Sequence, residues 1–206
     1  MHNSQRLTDR KRAAIIHAAT EAFRSGGFNA TSMDQVAASA GVSKRTVYNH
    51  FPSKEALFAE ILLQLWQSST AQDEAAYDGK LALRPQLLAL LQQKMQMLTE
   101  PDFIALARVA LAETLQSPER ARDMLARLGE REEGVIVWLR AALADGRLKS
   151  LDPVLAGHQL LGQLKALAFW PQIAMGKPQL APSEQAQLVA SAVDMFLAFY
   201  AQETPA

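Results

Sequence analysis

Four side chains of the types that contact DNA bases fall within six residues of one another: Lys44, Arg45, Tyr48 and Asn49. Val47 and Phe51 lie four residues apart, so the helix that this spacing predicts has an apolar side and a polar side. A short helix with Lys, Arg, Tyr and Asn facing outward can hydrogen-bond to base edges in a major groove. Ser43 precedes the helix as an N-cap, and a capped helix N-terminus favours a nearby phosphate. The spacing therefore predicts a DNA-contacting helix.

The residues around this segment predict the turns that would position it. Two short helices are predicted, over 32–39 and 43–50. Ser32 begins the first with a capping box, and Pro52 ends the second. Between them, Gly41 allows the left-handed conformation of a tight turn, and Val42 is expected to be a buried plug. Two short helices around a glycine turn are typical of a helix-turn-helix.

Three further side chains are candidates for phosphate contacts: Thr31, Ser32 and Lys54. Each stands at the start of a predicted helix, where free N–H groups attract an anion. The alternative is that these residues, like Lys44 and Tyr48, are ordinary solvated side chains. Each residue alone fits that alternative. The turn glycine, the capped helix and the outward cations together favour DNA binding.

The charges are balanced over the whole chain but not along it. The 206 residues contain 21 Lys and Arg against 21 Asp and Glu. Residues 1–54 have eight basic and three acidic groups, a net charge of +5, so residues 55–206 have a net charge of −5. A basic N-terminal segment followed by an acidic remainder indicates that the first segment meets a polyanion.

The segment AGVSKRTVYNHFPSKEALF resembles the DNA-binding signature of the TetR family of bacterial transcription regulators. The resemblance extends over about residues 8–60. It implies an all-helical homodimer with an N-terminal helix-turn-helix domain, residues 1–52, and a C-terminal ligand-binding and dimerisation domain, residues 53–206. The implied partners are an operator in double-stranded DNA, a small-molecule effector and a second copy of the chain.

The resemblance also assigns roles to individual residues of the signature. Positions that contact bases and phosphates are matched by Lys44, Thr46 and Tyr48. Ser32 and Lys54 match phosphate contacts. His50 matches a position where the family has an aromatic or histidine side chain at the DNA backbone, and the alternative is that His50 only packs against the domain. Arg45 stands where a small residue is frequent in the family, and Asn49 stands at a variable position. We therefore expect these two residues to help set the operator sequence.

Helical periodicity continues through the rest of the chain, and no segment has the sustained alternation of a strand. N-cap residues, prolines at first helical positions and glycines after last turns mark the boundaries. We predict an all-α fold of about nine helices: 8–25, 32–39, 43–50, 53–77, 84–98, 101–115, 118–145, 153–174 and 183–202. A break near Gly129 or Gly134 is an alternative for the seventh.

The C-terminal domain is rich in large apolar side chains that suit an adaptable ligand pocket. The apolar candidates for this pocket are Trp66, Met95, Phe103, Trp138, Phe169 and Trp170. Four polar residues within the apolar helices are candidates for orienting a ligand: Arg108, Glu113, His158 and Gln159. The alternative is a packed helical core with satisfied polar groups, and for any single apolar residue it is the better interpretation.

The last two predicted helices have too many apolar residues for one buried face each. We therefore predict that they form the homodimer interface, through Leu160, Leu161, Leu164, Leu167, Val189, Val193, Phe196 and Tyr200. Gly157 and Gly162 would permit close approach of helices there. The family resemblance implies the same interface, a four-helix arrangement around a two-fold axis. The alternative is that these helices close a larger core within one chain.

Other function classes lack the residues that they need. The chain has no cysteine, and its four histidines have no metal-ligand spacing. We find no nucleophile–base set and no glycine-rich phosphate loop. The longest uncharged run, 61–72, is shorter than the ~20 residues that cross a bilayer, and the N-terminus lacks the apolar core of a signal peptide. We expect a soluble cytoplasmic protein that is not an enzyme and has no metal or cofactor.

These observations predict a ligand-responsive transcription regulator, a repressor rather than an activator, which a small apolar or amphipathic ligand releases from a palindromic operator. A short match at Ala107–Glu113 and 117–119 is similar to an AefR-like subgroup. Two other classes stay open. One is a helical partner-binding adaptor or small-molecule-binding protein without DNA activity, which a salt-sensitive gel shift would separate. The other is a helical enzyme, which would have to turn over its ligand.

Overall fold

A computed structural model describes residues 2–70, 77–116, 119 and 134–202. The helices of this part are α1 (His2–Ala30), α2 (Met33–Ser39), α3 (Lys44–His50), α4 (Lys54–Thr70), α5 (Leu83–Thr99), α6 (Pro101–Gln116), α7 (Gly134–Ala144), α8 (Pro153–Leu164), a π-helical turn (Lys165–Phe169), α9 (Trp170–Met175) and α10 (Pro182–Tyr200). Since α8, the π turn and α9 follow without a break, these residues form nine helical runs and no strand, with a single bridge between Leu148 and Ala201. The all-α prediction is confirmed. None of the helices within these ranges is long and apolar enough to cross a bilayer.

Some helix boundaries differ from the predicted ones. α1 begins at His2, six residues before the predicted start, and Gly27, with φ 76° and ψ 177°, breaks it into two helices close to the predicted end at residue 25. Tyr77 was predicted to be the last residue of the fourth helix and is not helical. Of the predicted helix 118–145, the structure describes Glu119, which is helical, and residues 134–145, where α7 ends at Ala144; residues 118 and 120–133 lie outside the described ranges.

Two compact units divide the chain between them. Residues 1–66 with 105–130 form the first, which we call the head unit, and residues 67–104 with 131–206 form the second, the body unit. The head unit therefore contains α1 to α3, most of α4 and most of α6. The domain boundary predicted between residues 52 and 53 stays a prediction.

The head unit is built around three aromatic rings from α1 and α4. Phe23 lies 5.7 Å from Phe28 and 4.9 Å from Phe58 between ring centroids, and Phe28 and Phe58 are 5.3 Å apart. Each helix of the unit adds buried aliphatic residues to this cluster, among them Ile15, Val36, Val47, Leu57, Ile61 and Leu106. Because these residues fix which side of each helix faces inward, they also fix which side of α3 faces outward.

The core of the body unit lies between α5, α7, α8 and α10. Its fully buried members include Leu87, Leu91, Leu139, Leu160, Leu164 and Val193. α7 and α8 approach closely at Gly157, where a Cβ atom would lie 2.7 Å from Cγ1 of Ile136. The small size of Gly157 is therefore used inside the body unit, whereas a Cβ atom on Gly162 would meet nothing within 4 Å.

Candidate nucleic-acid interface

The turn between α2 and α3 has the geometry that the sequence predicted. Ser32 Oγ accepts a hydrogen bond from the Gln35 N–H at 3.2 Å, and Gln35 Oε1 accepts from the Ser32 N–H at 2.9 Å. Gly41 has the left-handed φ of 63° that a tight turn requires. Val42, which was predicted to be buried, is half-buried against the head core, and its N–H donates to the Ala37 carbonyl at 3.0 Å. These contacts set the start of α3.

α3 is held at both ends and by one buried face. Ser43 Oγ accepts from the Thr46 N–H at 3.1 Å and lies 2.8 Å from Thr46 Oγ1. At the other end the Phe51 N–H donates to the Val47 carbonyl at 2.8 Å, and both side chains are buried. His50 is half-buried with its ring centroid 6.3 Å from that of Phe51. The helix therefore presents one defined surface to solvent.

That surface carries the exposed side chains of Lys44, Arg45, Tyr48 and Asn49, whereas Thr46, which was also predicted to contact bases, is half-buried. Tyr48, a large apolar ring, keeps 42% of its surface accessible. Within the described part of the chain, no hydrogen bond or ion pair engages the side chains of Arg45, Tyr48 or Asn49. These three side chains can therefore meet a ligand without first breaking a contact of their own.

Lys44 differs from its neighbours because it already has a partner. Its Nζ atom lies 2.9 Å from Oδ1 and 3.0 Å from Oδ2 of Asp34, in the first turn of α2. The hydrogen bond to Asp34, followed by the charge of that carboxylate, raises the pKa of Lys44 above its ordinary value. Sequence reasoning did not identify Asp34 as part of the interface. The sequence signal that could have indicated Asp34 was a carboxylate in the first turn of a predicted helix, within residues 1–54, which contain only three acidic residues.

Lys54, predicted to contact phosphate, has an internal role in the head unit. Its Nζ atom donates to the Phe28 carbonyl at 2.7 Å and to the Thr31 carbonyl at 3.0 Å. The same ammonium lies 4.4 Å above the ring centroid of Phe28, within the range of a cation–π interaction. Lys54 thus joins the first turn of α4 to the end of α1. Its phosphate contact stays a prediction and would compete with these bonds.

The hydroxyl groups of Thr31 and Ser32 are also engaged within the head unit. Thr31 is buried, and its Oγ1 donates to the Gly27 carbonyl at 2.8 Å. The Ser32 hydroxyl is the N-cap of α2. Contacts of these two residues with phosphate stay predictions, and the buried Thr31 side chain is the less accessible of the two.

Arg12 is a further residue that sequence reasoning missed. Its Nη2 atom lies 2.6 Å from Glu60 Oε1, and its guanidinium carbon lies 5.3 Å from the ring centroid of Phe51. Arg12 therefore links α1 and α4 beside the residue that ends α3. No local sequence signal marks it, because the two partners are 39 and 48 residues away.

The structure brings together three of the predicted ligand-contacting residues. The ring centroids of Phe103 and Phe169 are 6.0 Å apart, and those of Phe169 and Trp170 are 5.1 Å apart. The π turn ends at Phe169, immediately before Trp170, and such turns are frequent at functional sites. Phe103 and Phe169 are half-buried, and Trp170 is 44% exposed. An aromatic cluster with one accessible edge can hold a planar apolar ligand.

The other predicted ligand-contacting residues do not join this cluster. Met95 and Trp138 are buried in the core of the body unit, where the Trp138 indole N–H donates to Gln86 Oε1 at 3.3 Å. Arg108 belongs to the head unit and is exposed, and His158 is exposed on α8. The side chains of Trp66 and Glu113 lie outside the described ones.

The predicted dimer residues require a correction. Six of them are buried in the core of their own body unit: Leu160, Leu161, Leu164, Val189, Val193 and Phe196. They cannot reach a partner directly, because packing of α8 and α10 against α5 and α7 already covers them. Tyr200 is half-buried, and Leu167 is 57% exposed. The accessible large apolar side chains of these helices also include Leu155, Met195 and Phe199.

A groove of about 630 Å³ lies along the same part of the body unit. Leu167 and Pro171 line one side of it, and Leu188 and Ser191 line the other. None of the predicted ligand-contacting residues lines this groove. The lining places Leu167 of the π turn close to Leu188 and Ser191 of α10. Among the side chains that the structure describes, no three His, Cys, Asp or Glu residues meet in a metal-binding group.

Comparison with known proteins supports the assignment of both halves of the chain. Residues 15–61 match the family model of bacterial regulatory proteins of the tetR family, and residues 85–202 match the model for the C-terminal domain of AefR-like transcriptional repressors. The HTH-type transcriptional regulator YhgD of Bacillus subtilis is 31% identical over 173 residues, which cover 78% of this chain and 83% of YhgD.

Solved structures extend the comparison to the whole fold. A TetR family transcriptional regulator from Pseudomonas syringae is 48% identical, with a TM-score of 0.80 over 95% of this chain and 99% of that one. The flavonoid-responsive regulator FrrA is 29% identical, with a TM-score of 0.76 over 95% of this chain and 100% of FrrA.

Proposed function

Because the chain belongs to the TetR family of bacterial transcription regulators, we propose that it is a repressor whose α3 helices contact the bases of a palindromic operator. Regulators of this family bind operator DNA and dimerise, and the family is not one of enzymes. Two copies of α3 related by a two-fold axis would enter successive major grooves, ~34 Å apart. Its site of action would be the cytoplasm, where the operator is.

The observation that carries this proposal is the outer surface of α3. Arg45, Tyr48 and Asn49 are exposed, and within the described part of the chain no hydrogen bond or ion pair engages their side chains, while Val47 fixes the helix from behind. Arg can donate two hydrogen bonds to guanine, and Asn can exchange two with adenine. A rigid helix with such groups free of internal partners suits direct contact with base edges.

We propose that the effector is a small aromatic or amphipathic molecule bound by the body unit. The cluster of Phe103, Phe169 and Trp170 supports an aromatic ligand, since offset and edge-to-face contacts favour planar rings. FrrA, similar in fold and 29% identical, is a flavonoid-responsive regulator. An effector that binds better to a form unable to fit the operator would shift the population away from DNA, by the ~5–150-fold typical of such coupling.

We propose that a second copy of the chain packs on the exposed apolar residues of α8, the π turn and α10. Leu155, Leu167, Met195 and Phe199 each expose more than half of their surface. A monomer in water rarely exposes such a group of large apolar residues on one face. Gly162, whose missing Cβ would meet nothing, allows a partner helix to approach closely.

The test of the regulator function is a binding selection from a random duplex DNA library, followed by anisotropy titration of the selected sequence. We expect an inverted repeat, two protomers for each selected site, and affinity that falls as salt rises. A flavonoid such as a flavone should then weaken binding to the selected DNA. Enrichment of no sequence, with equal binding to selected and random duplexes, would contradict base contact by α3.

A further inference from the structure

Asp34 places a carboxylate on the surface that carries the DNA-contacting side chains. Both of its oxygens lie within 3.0 Å of Lys44 Nζ, and the side chains are 62% and 61% exposed respectively. Asp34 is the one acidic residue between Thr31 and Phe51, the segment that contains α2, α3 and their turn. Asp34 and Lys44 therefore form an ion pair at the outer surface of the helix-turn-helix.

A carboxylate at this position acts against contact with the phosphate backbone. An ammonium that neutralises a phosphate releases condensed counterions, and this release supplies most of the sequence-independent affinity for DNA. When Asp34 already neutralises Lys44, the pair brings no net positive charge to the phosphates. An exposed ion pair contributes little to the free energy of folding. We therefore expect Asp34 to change DNA binding more than stability.

We propose that Asp34 is a specificity-determining residue, which holds Lys44 and weakens binding to the phosphate backbone of any sequence, so that tight binding requires the base contacts of α3. This inference rests on the proposed DNA contact of α3. It assigns Asp34 a role opposite to that of the basic groups around it. Removal of the carboxylate should therefore increase affinity for random DNA more than affinity for the operator.

The experiment compares the full chain with its Asp34→Asn and Glu21→Gln variants on a random-sequence duplex, by fluorescence anisotropy at several salt concentrations. Glu21→Gln is the matched control, since it adds the same charge to the head unit and breaks an exposed ion pair with Arg24 at 2.7 Å. Asp34→Asn should steepen the slope of log affinity against log salt by ~0.9 for each bound head. The ratio of the Asp34→Asn affinity to the affinity of the unmodified chain should then fall about 3.5-fold per head between about 50 and about 200 mM salt. Glu21→Gln should leave the slope unchanged.

A Lys44→Met background identifies the group through which Asp34 acts. With Lys44 absent, Asp34→Asn should no longer steepen the slope. Asp34→Ser keeps a polar side chain that suits the start of a helix and should reproduce the effect of Asp34→Asn. This agreement would show that the effect comes from loss of the carboxylate and not from the new amide group.

Three results would overturn the proposal. They are an unchanged slope in Asp34→Asn, an equal change in Glu21→Gln, and a steepened slope that persists in the Lys44→Met background. If the unmodified chain binds no duplex at all, the proposed function fails together with the role of Asp34. If it binds and Asp34→Asn does not differ, the role of Asp34 alone fails.

Discussion

The head unit and the body unit differ in how closely local sequence determines the surroundings of a side chain. In the head unit, Ser32, Ser43 and Gly41 have the cap and turn geometry that residues within four positions of them predict. In the body unit, apolar residues such as Leu160 and Val193 were predicted to meet a partner and are core residues instead. Caps and turns are local contacts, whereas an apolar helix face is covered by whichever element the tertiary fold brings to it.

The largest expected effect tests the exposed apolar face of the body unit. Phe199→Glu places a charge where 68% of the phenylalanine is exposed, and Val137→Glu does so on α7, where 52% of the valine is exposed. We expect Phe199→Glu to weaken dimerisation about 100-fold, because a central aromatic contact is typically worth several kcal/mol. Sedimentation velocity at micromolar concentration should show a monomer for Phe199→Glu and a dimer for Val137→Glu. Identical behaviour of both variants would contradict the proposed interface.

The exposed members of this face could not have been separated from its buried members by sequence. Leu164 and Leu167 are three residues apart on one apolar stripe, yet the first is buried and the second is 57% exposed. The choice depends on where α5 and α7 pack, which periodicity does not reveal. The overall all-α architecture and the outward set of α3 were predictable, because each follows from spacing and capping. The partners of Lys44 and Lys54 were not, because they lie on other helices.

Two glycines of α8 allow the core-facing side of this helix to be compared with its exposed side. Gly157→Ala would place a Cβ 2.7 Å from Ile136, whereas Gly162→Ala meets nothing within 4 Å. We expect Gly157→Ala to lower the free energy of unfolding by about 1–3 kcal/mol through overpacking. In the Phe199→Glu background, which should lack the partner helix that Gly162 is proposed to meet, Gly162→Ala should raise it by up to about 1 kcal/mol through helix propensity. Urea denaturation measures the free energy of unfolding of both variants. A decrease in Gly162→Ala as large as that in Gly157→Ala would contradict the packing of α8 against α7 described above.

In the head unit, substitutions of Lys54 test whether this side chain stabilises the fold or contacts phosphate. Lys54→Met keeps the apolar stem and removes the bonds to the Phe28 and Thr31 carbonyls. We expect it to lower the free energy of unfolding by about 1–2 kcal/mol and Lys54→Arg to lower it less. The salt dependence of DNA binding should stay unchanged. Unchanged stability with a slope reduced by ~0.9 per head would show instead that Lys54 contacts phosphate.

The smallest expected effect comes from an exposed ion pair of the body unit. Arg84 Nε lies 2.7 Å from Asp194 Oδ1, and this hydrogen bond lowers the pKa of Asp194 below its ordinary value. Stability that arises from a lowered carboxyl pKa is present above the ordinary pKa of ~4 and is lost as the pH falls through the lowered one. Arg84→Met should therefore be slightly less stable than the unmodified chain at about pH 6 and equal to it at about pH 2. A difference that persists at the lower pH would show that Arg84 acts through packing.

The most direct test of DNA contact by α3 is the base preference of Arg45→Ala. The variant and the unmodified chain would be titrated with the selected operator and with single-base variants of each half-site. We predict that Arg45→Ala loses discrimination of about 1–3 kcal/mol at one position in each half-site, while its binding to random DNA is weakened little. An unaltered preference at every position of the half-site would contradict the claim that this surface of α3 contacts the bases.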